Sequence, residues 1–277
     1  MTQQPEHIDT GMEGLLEFVE EALDHGDPNT ALHLCYQLLE IAPNHTEALY
    51  LVGEAFRGLR ELSEAEHRYR KVIAINPKHS RSWSALAAVL LDQLRCNEAQ
   101  TSIARAIRLD PLNPEATYVR ALLRERRGDY WGAERDFIRC TAINAEAYPR
   151  PVRLSDETIE AWVQEAVAQL SPTLVVYLSQ ITVLLDDLPT VDICSRYEPM
   201  APPAEILGYF SGSSFHEKTL ESPWSNLPTA IVLFRRNIER LAGDKERTIE
   251  ELRLTLSHEV RHFLGFEEID LLRPWQA

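Results

Sequence analysis

Apolar positions in the first half of the chain recur at helical spacing, and the helices themselves recur. Pro43, Pro77 and Pro111 lie 34 residues apart, each following an aliphatic-Xaa pair that closes an amphipathic stretch. Ala31, Ala65, Ala99 and Ala133 keep the same step as small residues at one position, while Tyr69, Ile103 and Phe137 share another. The pattern predicts about four helix pairs over residues 12–146. Gly26-Asp27 marks the turn inside the first pair, and Ala145 stands where the fourth would carry its proline. One pair cannot bury its apolar stripe alone, so the pairs must stack. Alanines let paired helices approach and the larger residues fill the next groove, which makes a curved stack with a concave face.

The register dissolves at Ala147-Tyr148-Pro149-Arg150-Pro151, where two prolines forbid a continuing helix. Residues 147–154 are therefore expected to be a linker, as residues 1–11 are a flexible N-terminus. Ser155-Asp156-Glu157 then supplies an N-cap with acids in the first turn, ahead of Ile159, Val163, Ala166 and Leu170 at helical spacing. Three β-rich runs follow, Ile181–Leu185, Glu205–Phe210 and Ala230–Phe234, separated by Pro, Gly and Ser loops. A last helix from about Lys245 carries Ile249, Leu252, Leu256 and Val260. The expected fold class is a helical solenoid followed by a small α+β domain over residues 155–277.

Composition narrows the function. The 277 residues are 44% hydrophobic, enough for more than one core. With 28 basic against 43 acidic side chains the formal net charge is -15, the reverse of the footprint that phosphate neutralisation needs, so no nucleic-acid partner is expected. The longest apolar run, Ala85–Leu91, is far too short for a bilayer, and Met1–Pro5 has no basic residue ahead of an apolar stretch. No membrane partner is expected, and the location expected is cytoplasmic. Cys35, Cys96, Cys140 and Cys194 form no CxxC pair and are expected to be reduced core thiols.

The last predicted helix contains His258-Glu259-Val260-Arg261-His262. Two imidazoles four residues apart project from one helical face and can hold a single zinc at about 2.0–2.1 Å; manganese, cobalt or nickel suits the same donors. Glu259 then lies beside the metal, where it can take a proton from an attacking water. A third ligand has only the 15 residues after His262 to come from, too few for a second long helix. Gly265, three residues after His262, can end the helix in the left-handed conformation and turn the chain back. Glu268, ten residues after His258, is the candidate, with Glu267 and Asp270 as alternatives. Tyr209 and His216 are candidates for stabilising an oxyanion. Ser211-Gly212-Ser213-Ser214 lacks the pattern of an activated serine, and Asp186-Asp187 reads as a solvated strand end.

The first half resembles the tetratricopeptide repeat, on Gly53, Phe56, Ala65, Tyr69 and Pro77 in the second copy and Trp83, Leu86, Ala99, Ala106 and Pro111 in the third. The resemblance implies a peptide or protein partner on the concave face. Tyr50 and Glu54 stand where chaperone-binding members place their carboxylate-gripping residues, so a chaperone-tail receptor is not expected. Arg120 and Arg124 replace apolar residues and are expected to pair with an acid of a neighbouring helix or of the second domain. The second half, from about residue 155, resembles the minimal zincin-like metallopeptidase family, on Ile206–Phe210, Leu227–Arg235 and the motif read as HExxHxxGxxE. Metzincins place histidine where this chain has the last carboxylate, and none of Met1, Met12 and Met200 lies after the motif. The chain departs from the family at Arg261, where glycine is usual, and that side chain is expected to point to solvent from the helix flank.

This resemblance implies a zinc-dependent metallopeptidase, with His258, His262 and Glu268 as metal ligands and Glu259 as general base. It also implies that an extended peptide pairs along the edge of Ala230–Phe234. The repeats then recruit or restrict a protein substrate. The alternative is a protein-interaction adaptor whose zincin-like domain is structural or regulatory. A third reading, hydrolysis of a small amide, predicts a closed pocket in place of a long groove.

Overall fold

A computed structural model describes residues 6–196, 201–212 and 229–266. The chain divides into two compact units, Met1–Tyr148 and Pro149–Ala277. Among the described residues the first contains eight helices in four pairs: α1 Glu6–Asp24 with α2 Pro28–Ile41, α3 Thr46–Gly58 with α4 Leu62–Ile75, α5 Ser80–Asp92 with α6 Cys96–Leu109, and α7 Pro114–Arg126 with α8 Tyr130–Ile143. Ala31, Ala65, Ala99 and Ala133 are wholly buried, as are Tyr69, Ile103 and Phe137. The alanines matter because a longer side chain would hold the paired backbones apart. Gly53 serves the same end on the facing helix: a Cβ there would lie 2.5 Å from the Tyr69 ring.

The boundaries of the repeats are set by local chemistry. His45, His79 and Asn113 occupy one repeat position and cap α3, α5 and α7, each accepting a hydrogen bond from the backbone N–H three residues on. The two histidines carry no metal-ligand spacing, and capping is what they do instead. Gly26, Arg60, Leu94 and Gly128 share another position, in the turn within each pair, and all adopt the left-handed conformation with φ between 61° and 76°. Arg120 and Arg124 both close on Asp136 of α8, at 2.6–2.7 Å, with Asp136 only 4% exposed. The acid of a neighbouring helix is thus their partner.

Two boundaries differ from expectation. Helix α1 already begins at Glu6, inside the segment 1–11 read as a flexible terminus. Part of the segment 147–154 read as a linker is fixed within the second unit. Val152 N–H donates to the Glu239 carbonyl at 3.0 Å and Leu154 N–H to the Glu239 carboxylate at 3.2 Å. Glu239, 2% exposed, also binds Arg153 at 2.6 Å and Arg236 at 3.0 Å. A buried carboxylate needs several donors, and only tertiary structure reveals that Arg153 and Leu154 supply two of them beside Arg236.

The second unit holds α9 Asp156–Ala168, α10 Pro172–Leu178, β1 Thr182–Asp186, α11 Val191–Cys194, β2 Gly208–Ser211, β3 Ala230–Phe234, α12 Arg235–Leu241 and α13 Lys245–Phe263. The sheet order is β1-β3-β2, with β1 parallel to β3 (Thr182 opposite Ala230) and β2 antiparallel to it (Gly208 opposite Leu233). This corrects the expectation that Ala230–Phe234 is an edge. β3 is the central strand, and its unbroken Ala-Ile-Val-Leu-Phe run, without alternation, is what burial on both faces requires. The strand expected over Glu205–Phe210 begins only at Gly208. Before it, Asn237 Nδ2 donates to the carbonyls of Pro203 and Ile206 at 2.8 and 2.6 Å, satisfying a turn where a ladder was expected. Helices α9 and α13 enclose the core with Ile231 and Leu233. The cysteines are free, three of them buried, and burial pushes the Cys35 thiol up to about 12. No helix among the described residues is long and apolar enough to cross a membrane.

Candidate metal centre

Helix α13 carries its core face on Ile249, Leu252, Leu256, Val260 and Phe263, which are buried at three- and four-residue spacing. That stripe fixes the rotation of the helix, and with it the direction of the motif. His258 and His262 lie together on an adjoining, half-buried face, with ring centroids 4.7 Å apart and Nε2 atoms 3.0 Å apart. Two nitrogens at zinc-bond length from one tetrahedral ion would be ~3.3 Å apart, so the pair needs little movement to share a cation.

The end of α13 prepares one of the two ligands. Gly265 has φ 89°, its N–H donates to the His262 carbonyl at 3.0 Å, and Phe266 N–H donates to the Arg261 carbonyl at 3.1 Å. These two bonds are the Schellman pattern that closes a helix through a left-handed residue. The turn brings the Phe266 carbonyl to 3.2 Å from His262 Nδ1. A carbonyl only accepts, so Nδ1 carries the hydrogen and Nε2 presents its lone pair toward His258. A Gly265→Ala substitution is expected to cost about 1 kcal/mol of stability. Loss of the carbonyl's orienting bond is also expected to weaken zinc binding by about tenfold, read by competition with a chromophoric chelator.

Glu259 is 3% exposed, and its Oε2 accepts from Phe210 N–H at 2.7 Å. The sheet register explains why that amide is available. Phe234 N–H donates to the Leu207 carbonyl, so hydrogen-bonded pairing with β3 falls on Leu207, Tyr209 and Ser211, and Phe210 N–H points away from β3. β2 can lie this close to α13 because of Gly208, where a Cβ would sit 2.8 Å from the Thr255 methyl and 2.9 Å from Leu233. A glycine inside a strand run is the sequence signal for such an approach. The orienting Phe210 amide and Phe266 carbonyl leave no signal, being backbone groups.

The other candidates fall out as follows. Among the described residues no three His, Cys, Asp or Glu side chains form a metal cluster; the described donors are His258 and His262. Glu268, Glu267, Asp270 and His216 lie outside the described residues. Tyr209 projects from the face of β2 opposite Phe210, with its hydroxyl bonded to Arg196; burial raises its pKa. Arg261 is half-buried, which corrects the expectation of a solvent-facing side chain. It lines a hollow of about 510 Å³ together with His258, Gly208, Ile206, Leu254 and Thr255. Asp187 at the end of β1 lies 3.8 and 3.6 Å from the guanidinium groups of Arg235 and Arg236, a structural pairing.

Residues 178–275 match the zincin-like metallopeptidase family, and residues 22–90 and 84–142 match tetratricopeptide repeat families. The chain therefore carries tetratricopeptide repeats over 22–142 followed by a zincin-like metallopeptidase domain over 178–275. The chain is also 35% identical to mouse FK506-binding protein-like over 83 residues, 30% of this chain and 23% of that protein. The human FK506-binding protein-like is 36% identical over 66 residues, 24% of this chain and 19% of that protein. The chain thus spans under a quarter of the length of these curated relatives. Among solved structures, MamA from Desulfovibrio magneticus RS-1 is similar at 20% identity, with TM-score 0.41, covering 49% of this chain and 76% of that one. A thermophilic repeat protein of Thermus thermophilus is similar at 20% identity, with TM-score 0.45, covering 57% and 87%.

Proposed function

We propose that the chain is a zinc-dependent metallopeptidase whose repeats recruit a protein substrate, and that it works in the cytoplasm. The observation that carries this reading is the pair of imidazole Nε2 atoms 3.0 Å apart beside a buried, backbone-held glutamate. Soft-to-borderline nitrogen donors with a carboxylate suit zinc, and His258, His262 and Glu268 are the residues proposed to hold it. Zinc, when bound, supplies Lewis-acid polarisation of the scissile carbonyl.

The chain's own groups do the rest. Phe210 N–H holds one oxygen of Glu259 in place, and this carboxylate is proposed to take a proton from the attacking water and pass it to the departing amine. The Phe266 carbonyl holds the His262 ring in its tautomer.

The test measures metal content and cleavage in parallel. Purified chain is expected to carry about one zinc, and His262→Ala is expected to lower affinity for it by more than a hundredfold. Zinc-loaded chain should cleave members of a peptide library. If it binds zinc and cleaves none, the adaptor reading replaces the peptidase.

A further inference from the structure

The sheet of the second unit has two outer strands, and their free edges differ. On β2 the Phe210 N–H turns away from β3 and is taken up by Glu259. On β1 nothing comparable occurs. Thr182 N–H donates to the Thr229 carbonyl at 3.1 Å, and in a parallel ladder this puts the amides and carbonyls of Thr182, Leu184 and Asp186 on the β3 side. Those of Val183 and Leu185 therefore point outward, and no described residue bonds to them. The strand has none of the usual guards of an open edge: Thr182–Asp186 contains no lysine and no proline, and its register with β3 runs without a bulge. Val183 and Leu184 are 37% and 49% exposed.

Beside this edge lies a hollow of about 570 Å³ between β1 and α9. Val183 and Leu185 share the sheet face that Ile231 and Leu233 turn to the core, and with Ile159 and Val163 of α9 they line the hollow. A strand added to β1 would send every second side chain into this space, so those residues must be apolar. Exposed Glu157 and Glu160 also line it, and neither has an ion pair with a described residue, whereas Asp156 beside them is paired with Arg235. These acids decide between occupants. A second copy of this chain, pairing β1 antiparallel with β1, would put both α9 helices on one face of the joined sheet and bring like charges together. A foreign strand with a basic residue beside its apolar ones complements them.

We propose that the β1 edge docks an extended segment of a protein partner, which adds to the sheet as a strand through the outward groups of Val183 and Leu185. Its alternate apolar side chains fill the hollow beside α9, and a flanking lysine or arginine faces Glu157 and Glu160. Main-chain pairing supplies affinity, the hollow sets the side-chain pattern, and the acids choose among strands that have it. This edge is separate from the imidazole pair, and the proposal is independent of hydrolysis.

Binding is read by fluorescence anisotropy, using the full chain with Glu259→Gln so that no probe is cut. The probe is a labelled peptide of alternating valine and threonine with a lysine near each end; one counterpart has glutamate for lysine and another serine for valine. The serine peptide is expected to bind at least about tenfold more weakly than the probe. Val183→Pro is expected to weaken the probe about tenfold, because it removes an outward N–H and leaves the ladder to β3 intact, and an edge strand accepts proline at such a position. Glu157→Lys with Glu160→Lys is expected to reverse the charge preference, so that the glutamate peptide binds about tenfold more tightly than the lysine one. Probe binding untouched by Val183→Pro overturns the proposal, and so does a charge preference that the double substitution leaves unreversed. A wild-type dimer in sedimentation that Val183→Pro dissociates would assign the edge to a second copy and overturn it as well. If Val183→Pro alters the far-ultraviolet circular dichroism, the charge reversal at the two exposed α9 positions decides alone.

Discussion

Glu259→Gln is expected to retain zinc and to lower peptide hydrolysis by about 10²–10⁴-fold. Glutamine has the volume of glutamate, and its amide oxygen can still accept from Phe210 N–H, so the packing between β2 and α13 survives the change. What it cannot do is receive a proton. The imidazoles that approach one another on α13 are untouched, and so metal content and activity should separate. Zinc content by plasma mass spectrometry, alongside kcat/KM on the best library peptide, makes the comparison. A variant that loses both zinc and activity would show Glu259 supporting the metal or the fold. One that loses neither would remove it from the chemistry.

Asp136→Ala is expected to destabilise the repeat unit by about 3–5 kcal/mol, because it strips the shared carboxylate from two arginines and leaves their charges in a partly dry site. The value belongs near the lower bound, since Arg120 and Arg124 remain 20% and 31% exposed and water can reach them. In a linear stack each pair touches only its neighbours, so α7 and α8 should loosen before the rest. Urea denaturation followed by circular dichroism would show an early transition. The replacement of all three residues by leucine is expected to recover most of the loss, because repeats of this kind ordinarily have apolar side chains at the two arginine positions. If that triple variant is no better than Asp136→Ala, the cost lies in packing and not in unpaired charge.

Much of the first unit was legible because its information is local and repeated. A 34-residue step in alanine, in a large apolar residue and in proline specifies which faces meet, and the buried Ala65 and Tyr69 repeat in Ala99 and Ile103. The capping role of His45 and His79 was not legible, since histidine is an uncommon cap and its ring nitrogen accepts only where the turn places it. In the second unit the run Ala230–Phe234 was readable as a strand, but its place in the sheet was not. An apolar pentapeptide states that it is buried and does not state on which sides it has neighbours.

The candidate site divides in the same way. Helical periodicity alone put His258 and His262 on one face and Glu259 between them, and the glycine at 265 already announced a left-handed helix end. Those follow from φ/ψ preferences and a 3.6-residue turn, which any stretch of chain carries with it. The grip of Phe210 on Glu259, the bond from His262 to the Phe266 carbonyl, the close approach at Gly208 and the anchoring of residues 152–154 by Glu239 were decided only when distant segments met. Backbone amides and carbonyls are the same at every residue, so no side-chain pattern can say which of them will be aimed at a functional group.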